Sequence, residues 1–205
     1  MSAEQPPADR VRVLTVCTAN ICRSPYAQVV LAAGLEWARP GAFTVESAGT
    51  QALVGYPVDE GSAALLDAKG LPHADFRARR LTPALLAEQD LVLVMAGSHR
   101  DWVVDEAPAV HRRTLTLREL AEAIADIGER EDWAWLLERA GADDVVSRWR
   151  ALPGLVAQHR SRGRSRANRD VADPYRRGAK AFARMAEEVD PAVRTIVSWE
   201  RRFPR

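Results

Sequence analysis

Residues 11–25 read VRVLTVCTANICRSP, and the fold turns on this stretch. Val11 to Val16 is a β-branched, apolar run of strand length. It feeds directly into Cys17, after which Ser24 and Pro25 open a helix, Ser as a favoured N-cap and Pro as a favoured first helical residue. The following YAQVVLAAGLEWA has helical composition until Pro40 and Gly41 stop it. The unit is strand, loop, helix, with Cys17 at the carboxyl end of the strand.

The same alternation continues outward. Phe43 to Glu46 reads as a second short strand ending at Ser47-Ala48-Gly49-Thr50, and Val58 to Lys69 as a helix closed by Gly70. Leu91 to Met95 (LVLVM) is a continuous apolar run, as expected of a strand covered on both faces. Arg113 to Leu117 reads as a fourth strand. Strands alternating with helices predict a three-layer α/β fold, a mostly parallel sheet between helices, with ligands bound at the carboxyl ends of the strands. From Arg118 to Gln158 the pattern turns helical, with two or three helices and with Trp133, Trp135 and Trp149 read as its packing residues. Residues Arg160 to Arg169 (RSRGRSRANR) carry five Arg and no acid, which reads as a solvated loop. A second reading makes that loop, through Arg162, Arg164 and Arg166, an attractor of acidic phosphorylated partners. Asp190-Pro191 looks like the start of the last helix.

Composition narrows the function. The chain has 205 residues, 47% hydrophobic and 28% charged, with a formal net charge of +1. That length suits one well-buried domain, residues 11–205, behind a flexible polar N-terminus at 1–10. The near-zero net charge gives no global pull toward nucleic acid or membrane. No window approaches eighteen uninterrupted apolar residues, and the first ten residues, with Pro6 and Pro7, lack the apolar stretch of a secretory signal. Two cysteines five apart, Cys17 and Cys22, make neither a disulfide framework nor a four-ligand zinc site. Reduced thiols in the cytoplasm fit them, with no metal and no cofactor.

The segment from Cys17 to Arg23 is C-x5-R, a spacing that is weak alone and gains meaning from its place. Between a buried strand and a helix N-terminus, the backbone N–H groups of Thr18, Ala19, Asn20, Ile21 and Cys22 can curl around a tetrahedral oxyanion, which the partial positive helix end also favours. The same field favours the thiolate of a cysteine at that position, and a thiolate held beneath phosphorus displaces an alcohol or phenol to give a phosphocysteine. Arg23 supplies a planar fork for two equatorial oxygens. Ser24 can donate to the Cys17 sulfur as it leaves, and Asn20 can hold the loop's shape. The plainer alternatives make Cys17 a small core residue, Arg23 a solvated helix-start residue and Ser24 an N-cap only. Cys22 reads equally as packing or as a thiol that traps oxidised Cys17. The departing oxygen needs an acid on a closable loop. Asp173-Pro174-Tyr175 fits, with Asp173 as acid and Tyr175 walling the entrance for a flat leaving group.

CTANICRSP, SAGT at Ser47 to Thr50, LVLVM, and DVADPY at Asp170 to Tyr175 resemble, in order, the landmarks of low-molecular-weight protein tyrosine phosphatases. The resemblance covers roughly residues 11–110 and 170–200. It implies a four-stranded parallel sheet with flanking helices, in the flavodoxin-like manner, and a phosphotyrosine-containing protein as substrate. It also implies Cys17 as nucleophile, Arg23 as clamp, Asp173 as general acid and then base, and Asn20, Ser24 and Ser47 as hydrogen-bond supports. Against that pattern, residues 118–169 read as an inserted helical subregion. Ala19 stands where the family usually has Gly, which would strain the loop if the position needs positive φ. Leu53 and Arg176 replace aromatic rim residues, and Phe76 stands where some members carry a supporting His. Arsenate reductase using an external thiol and a catalytically silent phosphate-binding module are the rival functions. Ile21, where related phosphoarginine hydrolases place Thr, favours phosphotyrosine.

Overall fold

The computed structural model describes residues 10–159 and 169–204. Four strands, β1 (Val11–Cys17), β2 (Phe43–Gly49), β3 (Leu91–Val94) and β4 (Thr114–Thr116), form one sheet in the order β2-β1-β3-β4. All three pairings are parallel, as the strand-helix alternation predicts. The register sets Cys17 opposite Gly49, Val16 opposite Val94, and Val94 opposite Thr116. The carboxyl ends of all four strands therefore share one edge, with Cys17 at its centre.

Alternation along the strands builds two cores. Val11, Val13, Leu91 and Leu93 face the larger one, with α1 (Arg23–Ala38), α5 (Leu117–Arg130), α7 (Val145–His159) and α8 (Ala179–Glu200). Leu14, Val16, Val92 and Val94 face the smaller one, with α3 (Pro83–Ala87), α4 (Gly97–Glu106) and the 3-10 turn Pro108–Arg113. Successive strand residues point to opposite faces, so a strand buried on both reads as an unbroken apolar run. The remaining helices are α2 (Glu60–Asp67) and α6 (Trp133–Arg139).

Several expected boundaries move for local reasons. The helix expected from Val58 starts at Glu60, because Asp59 caps it by accepting from the Gly61 N–H, while Val58 is buried. Helix α1 starts at Arg23 with Cys22 as its flanking residue and no side-chain cap; Ser24 is not the N-cap, and its hydroxyl turns toward Cys17. The last helix does not begin at Asp190-Pro191. It runs from Ala179 through Pro191, since Asp190 is held by the Tyr26 hydroxyl at 2.8 Å and by Lys69 Nζ at 2.7 Å, and packing on α1 and α5 overrides the local break. Residues 160–168, with the arginines named above, lie outside the described residues; Arg169 pairs with Glu122.

Helix α7 covers the edge of the sheet opposite Cys17, and α6 packs beside it, with Trp133 edge-on to Trp199 at 5.4 Å. Trp149 meets Phe43, the first residue of β2, edge-on at 4.9 Å, and Arg150 bonds Asp90, just before β3, at 2.7 Å. Trp133 and Trp149 are buried as expected, but Trp135 is 51% exposed beneath the Arg139 guanidinium. The fully buried Glu200 joins α7 to α8. It accepts from Arg148 Nη2 at 2.8 Å and Nε at 3.2 Å, Trp149 Nε1 at 2.8 Å and Arg39 Nε at 2.9 Å. Removing one partner of a buried pair leaves the other charge uncompensated, at a cost of about 3–5 kcal/mol. Glu200→Ala should lower the urea unfolding free energy by about that amount, with the loss visible in tryptophan fluorescence.

Candidate active site

The loop after β1 is shaped from outside. The carbonyls of Cys17, Thr18, Ala19 and Ile21 accept from the backbone N–H groups of Thr50 (3.0 Å), Gln51 (2.9 Å), Leu53 (3.0 Å) and Asp59 (2.9 Å). In a planar trans peptide the next N–H points opposite its carbonyl. The amides of Thr18, Ala19, Asn20 and Cys22 are thus directed away from that outer layer, toward the loop's inside, as an oxyanion cradle requires.

Asn20 holds the turn. It has φ of +55°, the left-handed conformation that Asn tolerates better than most side chains, and its side chain is fully buried. Its Oδ1 accepts from the Arg79 N–H at 2.9 Å, and its Nδ2 donates to Ser24 Oγ at 2.9 Å and to Ser47 Oγ at 2.8 Å. Ser47 in turn donates to Gln28 Oε1 at 2.6 Å. With Ser24 Oγ accepting from Asn20, its own proton is left for Cys17 Sγ, 3.0 Å away. Ala19 is not among the residues with positive φ; the left-handed position is the next one, so the expected strain at Ala19 is absent.

Cys17 and Cys22 are free, buried thiols. Burial, then Asp59 and Cys17, push the Cys22 thiol well above its usual range. Arg23, the first residue of α1, is buried; its Nη2 donates to Asp173 Oδ2 at 2.9 Å, while its Nε has no partner among the described residues. An unpaired buried donor in the wall of a pocket marks a place for an acceptor.

The acid segment is tied to the sheet. The Val171 N–H donates to the Met95 carbonyl at 2.7 Å, Asp170 accepts from the Gly97 N–H at 2.8 Å, and the Ala172 N–H donates to Glu188 at 2.6 Å. These bonds bring Asp173 and Tyr175 across the chain to the loop. Cys17, Thr18, Ala19, Ile21, Cys22, Arg23, Asp173 and Tyr175 line one pocket of about 250 Å³. Asn20, Ser24 and Ser47 stand behind it. Each residue read as a nucleophile, clamp, acid, loop member or hydrogen-bond support thus falls in the pocket or in the layer behind it.

The wall is completed by Gln51 and Leu53, of which sequence reading missed Gln51. It also missed His99, whose Nε2 lies 3.0 Å from Thr18 Oγ1, and Arg79, whose guanidinium Nε donates to the Ser47 carbonyl at 2.8 Å. Each reaches the loop across a long sequence separation with no local motif. The support expected from a His at the Phe76 position is met instead by the Arg79 backbone N–H on Asn20. The arrangement can bind a tetrahedral anion above a buried sulfur, with a guanidinium at its side and a carboxyl at the mouth.

Two outcomes follow from this geometry. A Cβ at Gly49 would sit 2.4 Å from the Thr18 carbonyl oxygen and 2.9 Å from Asn20 Cβ, so Gly49→Ala must displace the loop. Misplacement by about an ångström costs about 100-fold; turnover of an aryl phosphate by Gly49→Ala should fall by at least that much while circular dichroism keeps the helical signal. Raising a thiol's pKa removes thiolate, the reactive form. Iodoacetamide at pH 7 should therefore leave Cys22 unmodified in the folded protein, by peptide mass mapping, and modify it after unfolding.

The family described as low molecular weight phosphotyrosine protein phosphatase matches residues 12–131, a span that includes α5. Over 146 residues the chain is 36% identical to the probable low molecular weight protein-tyrosine-phosphatase EpsP of Ralstonia nicotianae, covering 68% of this chain and 97% of that protein. The low molecular weight protein-tyrosine-phosphatase Etp of Escherichia coli K12 is 34% identical over 110 residues, 54% of this chain and 71% of Etp. Among solved structures, the tyrosine phosphatase Wzb from Escherichia coli K30 in complex with sulphate aligns with a TM-score of 0.63 at 24% identity, covering 91% of this chain and 96% of that one. The YwlE arginine phosphatase from Geobacillus stearothermophilus aligns equally well, TM-score 0.63 at 22% identity over 92% and 91% of the two chains, so structural likeness at this level reports the fold alone. Sequence and fold together place the chain in the low molecular weight protein-tyrosine-phosphatase family.

Proposed function

We propose that the chain hydrolyses phosphotyrosine in proteins through a phosphocysteine, with Cys17, Arg23 and Asp173 as the reacting groups. The observation that carries this reading is the buried Cys17 sulfur at the base of a loop whose carbonyls at Cys17, Thr18, Ala19 and Ile21 are engaged outside it, facing Arg23 and Asp173 in one pocket. In the first step Cys17 Sγ attacks phosphorus in line, the ester P–O bond breaks, and Asp173 gives its proton to the departing phenolic oxygen. In the second, Asp173 takes a proton from water as its oxygen attacks phosphorus. The S–P bond then breaks, and Ser24 donates to the sulfur that leaves.

Arg23 serves both steps. Its Nη2 rests on Asp173 in the free protein and its Nε is unpaired, so a phosphoryl group offers acceptors to both and spreads its charge over the guanidinium. Tyr175 and Leu53, partly exposed at the mouth, give a flat aromatic leaving group two apolar walls. Ile21 lines the same pocket and supports phosphotyrosine over phosphoarginine. Two free thiols suit a reducing compartment, and the cytoplasm is the proposed location. No helix among the described residues is long and apolar enough to cross a membrane.

The wild-type protein should turn over p-nitrophenyl phosphate, and Cys17→Ser should abolish it. Turnover surviving that substitution would remove the phosphocysteine. Asp173→Asn should lower kcat/KM, which reports the first step alone, about 100- to 10,000-fold for phosphotyrosine and less for p-nitrophenyl phosphate, because nitrophenolate leaves without a proton. Equal losses on the two substrates would remove Asp173 as the acid.

A further inference from the structure

His99 has no part in the chemistry above, yet it is buried against the phosphate loop. It lies in the first turn of α4 with 5% exposure; Nε2 is 3.0 Å from Thr18 Oγ1, and Nδ1 is buried with no partner among the described residues. Burial first, and then Arg23, lower its pKa to about 4 against the opposing pull of Asp170 and Asp173. At neutral pH the ring is neutral and carries one proton.

That proton has two possible seats. On Nδ1 it would make a buried N–H without an acceptor. On Nε2 it donates to Thr18 Oγ1 and leaves only a lone pair unmatched, and orphaned buried N–H groups are the rarer of the two defects. With its oxygen accepting from His99, Thr18 keeps its own hydroxyl proton for another acceptor. Thr18 lines the pocket next to Cys17, where the acceptors would be those of a bound anion.

We propose that His99 is a positioning residue, whose Nε2–H holds the Thr18 hydroxyl so that Thr18 donates to an oxygen of the bound phosphoryl group. The proposal rests on the phosphatase reading of the pocket. It adds a side-chain donor to the ring of backbone amides, one that exists only while the imidazole is in a single tautomer. Replacing either residue removes the same hydrogen bond to the anion.

The probe is inorganic phosphate, which binds without turnover. Long-range proton–nitrogen NMR of the full chain, with His99 assigned by its loss in His99→Gln, should place the ring proton on Nε2 at pH 7, with and without phosphate; a proton on Nδ1 overturns the proposal. Calorimetry should show Kd for phosphate raised about tenfold in Thr18→Val and in His99→Ala, the effect of one hydrogen bond to a charged group. The double variant should be no weaker than either single one, because the two act through one donor. His99→Gln, which keeps an amide donor, should recover part of the loss. Additive losses, or a loss in His99→Ala with none in Thr18→Val, would reduce His99 to packing and overturn the proposal. Should His99→Ala fail to fold, an unchanged Kd in Thr18→Val overturns it alone. These readouts do not require turnover, so an inactive wild-type protein that still shows the coupling would count against the phosphatase reading and not against this one.

Discussion

The site depends on where four carbonyls go. A loop that binds an anion must present N–H groups and hide C=O groups, and a free chain has no reason to sort them that way. Here the segment after β2 and the N-cap of α2 donate to the loop's carbonyls from outside, which leaves the amides facing inward by peptide planarity. The sorting requires the chain to reverse at one residue, and Asn20 provides it with a left-handed backbone and three side-chain hydrogen bonds. Gly49 belongs to the same constraint: the loop passes so close to β2 that no Cβ fits between them.

The pairing of Arg23 with Asp173 engages the two proposed reacting groups with each other. In the free protein the guanidinium and carboxylate satisfy each other at 2.9 Å, with Asp173 still 46% exposed on its side chain. A phosphoryl group competes for Arg23 and brings negative charge toward Asp173. The exposure of Asp173 keeps the resting pair weak enough to be broken.

The strand-loop-helix unit was legible because its signals are local: a β-branched run, a cysteine at its end, a helix directly after. The two-sided burial of β3 was legible for the same reason. Missed features depend on contacts distant in sequence. Nothing near His99 marks it as a partner of Thr18, 81 positions away, and nothing near Arg79 marks its backbone N–H as the ligand of Asn20. Ser24 misled because one residue type serves both as N-cap and as hydroxyl donor, and the choice depends on Asn20 and Cys17 rather than on the helix. Pro191 misled because Asp-Pro is a helix start unless packing holds the chain helical on both sides, as α1 and α5 do for α8.

Helix α7 lies away from the pocket, at the opposite edge of the sheet. A parallel sheet has two unlike edges, and only the carboxyl edge, with its turns into helix N-termini, suits an anion. Helix α7 is built on the other edge, against Phe43, Asp90 and Glu200. The buried ion network there links α7, α8 and the end of α1, the same α1 whose first residue is Arg23. One end of α1 is thus tied into a buried network, while its first residue, Arg23, lines the pocket. Nearer the pocket, Arg118 donates to the Asp170 carbonyl at 3.0 Å, and Arg100, next to His99, pairs with Glu119 at 3.2 Å, so α5 braces both the return to Asp173 and the start of α4.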